Sequence, residues 1–119
     1  MKIKVSESIN IQIDWLVAKC LGDEVNWLNW YLEYQQHAGC YSTDWAQGGP
    51  IIEKYKIELA LSSDGEVAGE SGWYSCMSND TRSTEELCYA DGATPLIAAT
   101  RCFIVSKLGD EVEVPDELV

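Results

Sequence analysis

One histidine, one phenylalanine and eight basic residues are all that this 119-residue chain holds of three common chemistries. Each shortage closes off a class of function. Nucleic-acid binders gain affinity by releasing counterions around clustered Lys and Arg. Here no such cluster exists, and twenty acidic residues bring the net charge to −12, so direct binding to DNA or RNA is not expected. No apolar run reaches the roughly 18 residues of a membrane span. The start, Met-Lys-Ile-Lys-Val-Ser-Glu-Ser, lacks the apolar stretch of a signal peptide. The five cysteines, Cys20, Cys40, Cys76, Cys88 and Cys102, are odd in number and contain no Cys-x-x-Cys pair. A disulfide framework is therefore not expected. With His37 as the one imidazole, neither is a zinc site, and the thiols read as small buried hydrophobes. Neither metal nor cofactor is predicted.

The same shortages weaken catalysis. A Ser or Cys nucleophile would have to draw on His37, and no Gly-x-Ser-x-Gly context is present. Gly48-Gly49 lacks the rest of a phosphate-binding motif. Carboxylate pairs are too easily found among twenty acids to mean anything. No catalytic residue is assigned.

What is present is a 46% hydrophobic composition, ordinary for a globular chain, with no repeats or linkers. Residues 1–119 read as a single domain, ending in an acidic tail over about 110–119 that is expected to lie along the surface. Lys2 and Lys4 alternate with apolar residues in a first strand. Asn10 is expected to cap a helix over about 10–21, with Ile13, Leu16, Val17, Cys20 and Leu21 as its buried stripe and Gly22 just past its end. Asp14, in the first turn, suits the helix dipole. The aromatic run from Trp27 to Tyr34 reads as a strand, since aromatics fit a pleated surface, with a helix as the alternative. Residues 41–47 read as an ordered loop, followed by a short helix after Pro50, with proline at its first position. Strands are expected over 56–61 and 72–78, a turn at 62–65, a return pairing at 66–68, and a polar loop over 79–86. The strongest helix is 95–108, capped by Thr94 and apolar on nearly every side, so it should be central. The predicted class is α+β: a small, mainly antiparallel sheet packed against the helices 10–21 and 95–108.

The stretch Tyr41-Ser42-Thr43-Asp44-Trp45-Ala46-Gln47-Gly48-Gly49-Pro50-Ile51-Ile52 is dense in groups that recognise small ligands. It offers aromatic faces, hydroxyls, a carboxylate, a carboxamide, glycines that admit close backbone approach, and a helix start that favours anions. The alternative is that Asp44 or Ser42 organises a turn and Trp45 is core. Five tryptophans and six tyrosines also favour a binding surface. Trp15 is expected in the core, with Trp45 and either Trp27 or Trp30 lining a pocket. Arg101, inside an apolar helix, either pairs with a buried carboxylate or faces an anionic ligand. The candidate ligand-binding set is thus Tyr41, Ser42, Thr43, Asp44, Trp45, Gln47, Gly48, Gly49, Pro50, Trp27 and Arg101.

Three blocks carry a resemblance to a known family. Asp14-Trp15-Leu16-Val17-Ala18-Lys19-Cys20, the stretch 41–52, and Thr94-Pro95-Leu96-Ile97-Ala98-Ala99-Thr100-Arg101-Cys102 with Ser106-Lys107-Leu108-Gly109-Asp110-Glu111-Val112 are similar to the NinX-like proteins of phages. The chain departs from that pattern at 27–34 and 62–91. The resemblance implies a small accessory protein of tailed phages and prophages, without assigned activity, acting in the host bacterial cytoplasm and dispensable for the virion. By analogy, such a protein could counter host defence by sequestering a small nucleotide-derived signal. Two other readings stand beside this: an acidic inhibitor that binds a host protein in the manner of a nucleic-acid mimic, and a hydrolase. The aromatic surface suggests a homo-oligomer, a dimer being commonest.

Overall fold

In a computed structural model, which describes residues 1–35, 39–61, 72–78 and 87–119, the chain is α+β. Four helices, α1 (Asn10–Cys20), α2 (Glu24–Tyr34), α3 (Trp45–Tyr55) and α4 (Pro95–Leu108), accompany five strands among these residues. Strands β1 (Lys2–Lys4) and β5 (Glu111–Glu113) form a two-stranded antiparallel sheet, with Ile3 opposite Val112. Strands β2 (Glu58–Leu61), β3 (Trp73–Ser78) and β4 (Leu87–Gly92) form a separate antiparallel sheet in that order, with Ser75 opposite both Leu59 and Ala90. The sequence reading foresaw one sheet and had no element for β4. His37, the 62–65 turn, the 66–68 pairing and the 79–86 loop lie outside the described residues.

Helix α4 is the centre, as its composition requires. Leu96, Ala98, Ala99, Cys102, Phe103 and Ile104 are buried, and the helix packs on the three-stranded sheet, α1 and α3. Its buried hydroxyls are satisfied locally: Thr100 donates to the Leu96 carbonyl at 2.6 Å and Ser106 to that of Phe103 at 2.6 Å. A hydroxyl bonded back to its own helix need not seek water. Thr94 accepts from the Ile97 N–H, and Gly109 closes the helix at φ 90°, a backbone region open to glycine.

Helix α1 buries Ile13, Leu16 and Val17 as expected, but Leu21 is exposed and Asp14 is wholly inside. Its cap is Ile9, one residue before the expected Asn10, and the Gln12 side chain accepts from the Ile9 N–H at 3.0 Å. The aromatic segment is α2 and not a strand. Its rings sit four residues apart, where helical neighbours meet. Trp27 and Tyr31 stack at 5.8 Å, and Trp30 and Tyr34 touch at 4.5 Å between centroids.

Two further expectations are corrected. Helix α3 begins at Trp45, so Pro50 lies inside it. The carbonyl that loses a donor there belongs to exposed Ala46, which water can serve. The tail is also no surface appendage. Although its carboxylates are exposed, Val112, Val114 and Leu118 are buried, and the Leu118 carbonyl accepts from the Gln12 side chain at 3.1 Å.

Candidate functional site

The stretch singled out in the sequence folds as a turn followed by the start of α3. The Asp44 N–H donates to the Cys40 carbonyl at 2.9 Å, closing the turn. The Asp44 carboxylate then caps α3 by accepting from the Ala46 N–H and from the Gln47 amide, both at 3.0 Å. These two bonds, the Gln47 one larger, hold the Asp44 carboxyl below its ordinary range. From the other side of Gln47, the amide oxygen accepts from the Cys40 N–H at 3.1 Å. Beneath the turn lies Asp14, whose carboxylate accepts from the Ser42 N–H at 2.8 Å inside the protein. Trp27 supports the turn from below: it is only 2% exposed and its indole N–H donates to the Gly39 carbonyl at 3.1 Å. It therefore positions the loop and does not line a surface, whereas Trp30 on the same helix is exposed.

Three helix starts converge beside this turn. A cavity of about 230 Å³ is lined by Asn10 of α1, Ser42, Thr43, Trp45 of α3, and Thr94, Leu96 and Ile97 of α4. Trp45, a member of this lining, is 55% exposed. The Ser42 hydroxyl is buried and has no hydrogen-bond partner among the described residues. Of the sequence candidates, then, Ser42, Thr43 and Trp45 form wall. Tyr41, Asp44, Gln47 and Gly48 support it, while Gly49 and Pro50 lie further along α3. Asn10 and Thr94 were read only as helix caps; no local signal announces that two caps distant in sequence will face one cavity.

Arg101 belongs to a larger neighbouring groove of about 880 Å³, between the segment from Lys4 to Ile9 and strand β4. Ile97 lines both spaces, so groove and cavity adjoin. The Arg101 guanidinium spans the groove floor, donating to the Asp91 carbonyl at 2.9 Å and the Ser8 carbonyl at 2.6 Å. These two bonds join the helix to both walls of the groove, and both acceptors are backbone carbonyls. A planar fork can reach both walls at once; an ammonium cannot. Arg101→Leu is expected to lower unfolding free energy by about 2 kcal/mol, with Arg101→Lys recovering little of it. Urea midpoints of the three proteins check this, and a parental Lys variant would refute it.

Two of the thiols are held in the protonated form by burial. Burial pushes Cys20 up to about 11 and Cys102 up to about 12. Both thus stay protonated when folded near neutral pH, and a protonated thiol is a weak nucleophile. Burial likewise raises Tyr41 and Cys40, aided by nearby carboxylates. The raised values set an alkaline limit. An unfolded thiol ionises near 9.0 while Cys102 resists until about 12, so the stabilisation is whole below pH 9 and is lost as pH climbs towards 12. The urea midpoint should therefore fall between pH 8.5 and 10.5, less steeply in Cys102→Ala. Equal slopes would refute the assignment.

Among the described residues, no group of three or more His, Cys, Asp or Glu side chains could hold a metal ion. No described helix is long and apolar enough to cross a membrane. No curated protein matches the chain. One family model does, that of bacteriophage P22 NinX, over residues 4–107, a span that takes in the turn, the cavity and the groove floor.

Proposed function

The chain belongs to the bacteriophage P22 NinX family, and from that premise we propose that it is a non-enzymatic phage accessory protein that binds and sequesters a small nucleotide-derived ligand, countering a host signal in the bacterial cytoplasm. The observation that carries this reading is the pair of adjoining spaces that share Ile97. One offers the exposed indole of Trp45 among hydroxyls and an amide; the other, of about 880 Å³, adjoins it. A cavity of about 230 Å³ is small for a ligand site, whereas the adjoining groove of about 880 Å³ lies within the range of about 300 to 1,000 Å³ usual for one.

The reading is tested by thermal unfolding against cyclic, dinucleotide and ADP-ribose-type compounds. A ligand that binds only the folded state raises Tm by several degrees at concentrations well above Kd. No shift with any of them at millimolar concentration would count against it.

A second reading rests on α2. Val25, Trp30, Leu32 and Tyr34 are all exposed on that helix, Trp30 with Tyr34 on one side of its buried stripe and Val25 with Leu32 on the other, apolar surface suited to a protein partner, either a host factor drawn by the acidic surface or a second copy of this chain. Light scattering reports self-association. A host complex would appear in a pull-down from bacterial lysate and weaken with salt.

A further inference from the structure

We propose that the small cavity takes an uncharged nucleobase, base first, and leaves any phosphate outside. This rests on the reading that the face binds a nucleotide-derived ligand, and it names the end that is recognised.

The lining decides the point. Among the described residues around the cavity none is charged: Asn10 contributes an amide, Ser42, Thr43 and Thr94 hydroxyls, Trp45 an indole, and Leu96 and Ile97 an apolar wall. An amide and hydroxyls match the alternating donors and acceptors on the edge of a heterocycle. An exposed indole offers a stacking face. The Ser42 hydroxyl is closed off from solvent, so the polar groups a ligand reaches are those of Asn10, Thr43 and Thr94, all exposed. At about 30 Å³ per water the volume is that of roughly seven or eight waters, the scale of one bicyclic ring and not of a nucleotide.

An anion fits less well, although three helices start here. The positive end of α3 already holds the Asp44 carboxylate, and the Thr94 hydroxyl takes the Ile97 N–H of α4. Behind Ser42 stands the buried carboxylate of Asp14, 2.8 Å from the Ser42 nitrogen. A phosphate in the cavity would face two carboxylates and no cation from the lining. In the adjoining groove it would meet Glu7, Asp91, Asp110 and Glu111 against Lys4 and Arg101, and the Arg101 guanidinium is already bonded to two carbonyls. Each added phosphate therefore weakens binding.

The test is a titration of isotope-labelled protein, followed by amide and indole N–H signals, with adenosine, guanosine, cytidine and uridine, their 5′-mono- and triphosphates, and inorganic phosphate. At least one nucleoside should move the signals of Ser42, Thr43 and Trp45. Its triphosphate should bind about tenfold or more weakly at low salt, and inorganic phosphate should leave these signals in place. Trp45→Phe should keep nucleoside binding within a few-fold, while Trp45→Ala loses about tenfold or more. Because Trp45 is exposed, both variants should keep the fold, which the remaining amide signals check. A triphosphate that binds more tightly than its nucleoside, or inorganic phosphate moving the same signals, overturns the base-first assignment and leaves the binding reading standing. If no nucleoside or nucleotide moves them, the base-first assignment falls, and the binding reading falls with it only if the cyclic, dinucleotide and ADP-ribose-type compounds also leave Tm unchanged.

Discussion

Removing residues 110–119 is expected to leave a chain without a cooperative unfolding transition. Nothing in the composition of this segment suggests it, since five of its ten residues are acidic. The structure shows what the other half does. Strand β5 pairs with β1, the Asp110 carbonyl accepts from the Val5 N–H at 2.9 Å, and Val112, Val114 and Leu118 are buried at 6%, 3% and 3% exposure. Burying an aliphatic side chain of this size stabilises by about 1.5–3 kcal/mol. Three of them together supply roughly 5–9 kcal/mol, against about 5–15 kcal/mol for a whole domain. Truncation also strips β1 of its partner and leaves the Val5 N–H and the Gln12 amide without their acceptors, the carbonyls of Asp110 and Leu118. Far-UV circular dichroism and a urea titration of the shortened chain check this; a midpoint within about 0.5 M of the parent would show the tail to be dispensable. Leu118→Ala tests the same contact more gently, at an expected cost of about 2–4 kcal/mol.

The tail explains where the sequence was legible and where it was not. Helix α4 could be read because every signal agreed: Thr94 at the cap, Pro95 after it, Gly109 at the end and apolar residues on all sides. The buried face of α1 was legible for the same reason. Residues 110–119 misled because alternate residues there are acidic, and alternation with short length looks like a solvated end. The first part, Glu111–Glu113, is a strand with one wet face, visible only once β1 is known to be its partner, and a 3-10 turn over Asp116–Leu118 follows. The run from Trp27 to Tyr34 misled differently: aromatic content favours strands, while the spacing of Trp27 with Tyr31 and of Trp30 with Tyr34 favours a helix, and the spacing won. At the candidate site, composition found Ser42, Thr43 and Trp45 but could not find Asn10, Leu96 or Ile97. These come from helix starts that only the packing of α1 and α3 on α4 brings together. Trp27 and Arg101, both expected in the ligand-binding set, make bonds that hold the turn and the groove walls in place.

The two adjacent glycines of α3 should respond to alanine in opposite directions. Both were read from sequence as places where backbone could approach a ligand, and both lie in the interior of a helix. A methyl group on Gly48 would run into the Tyr41 carbonyl oxygen and lie 2.7 Å from the Leu96 side chain. One of those neighbours is backbone and cannot turn aside. Helix α3 must move away from the turn, carrying Trp45 off the cavity and disturbing the Asp44 cap. Overpacking of this kind costs about 1–3 kcal/mol, and the backbone contact puts Gly48→Ala at the upper end or above. The same methyl on Gly49 meets only the Trp45 ring, at 3.9 Å, which is ordinary contact. There alanine lowers the entropy of the unfolded chain and favours the helix, a gain of about 0.5–1 kcal/mol. Urea midpoints should therefore fall for Gly48→Ala and rise for Gly49→Ala, a gap of roughly 2–4 kcal/mol between neighbours in one helix. Equal midpoints would mean that α3 does not pack against the turn as described. A ligand-dependent rise in Tm that survives in Gly49→Ala and disappears in Gly48→Ala would tie binding to this packing, because Gly48 itself does not line the cavity and can act only by placing Trp45, Ser42 and Leu96 around it.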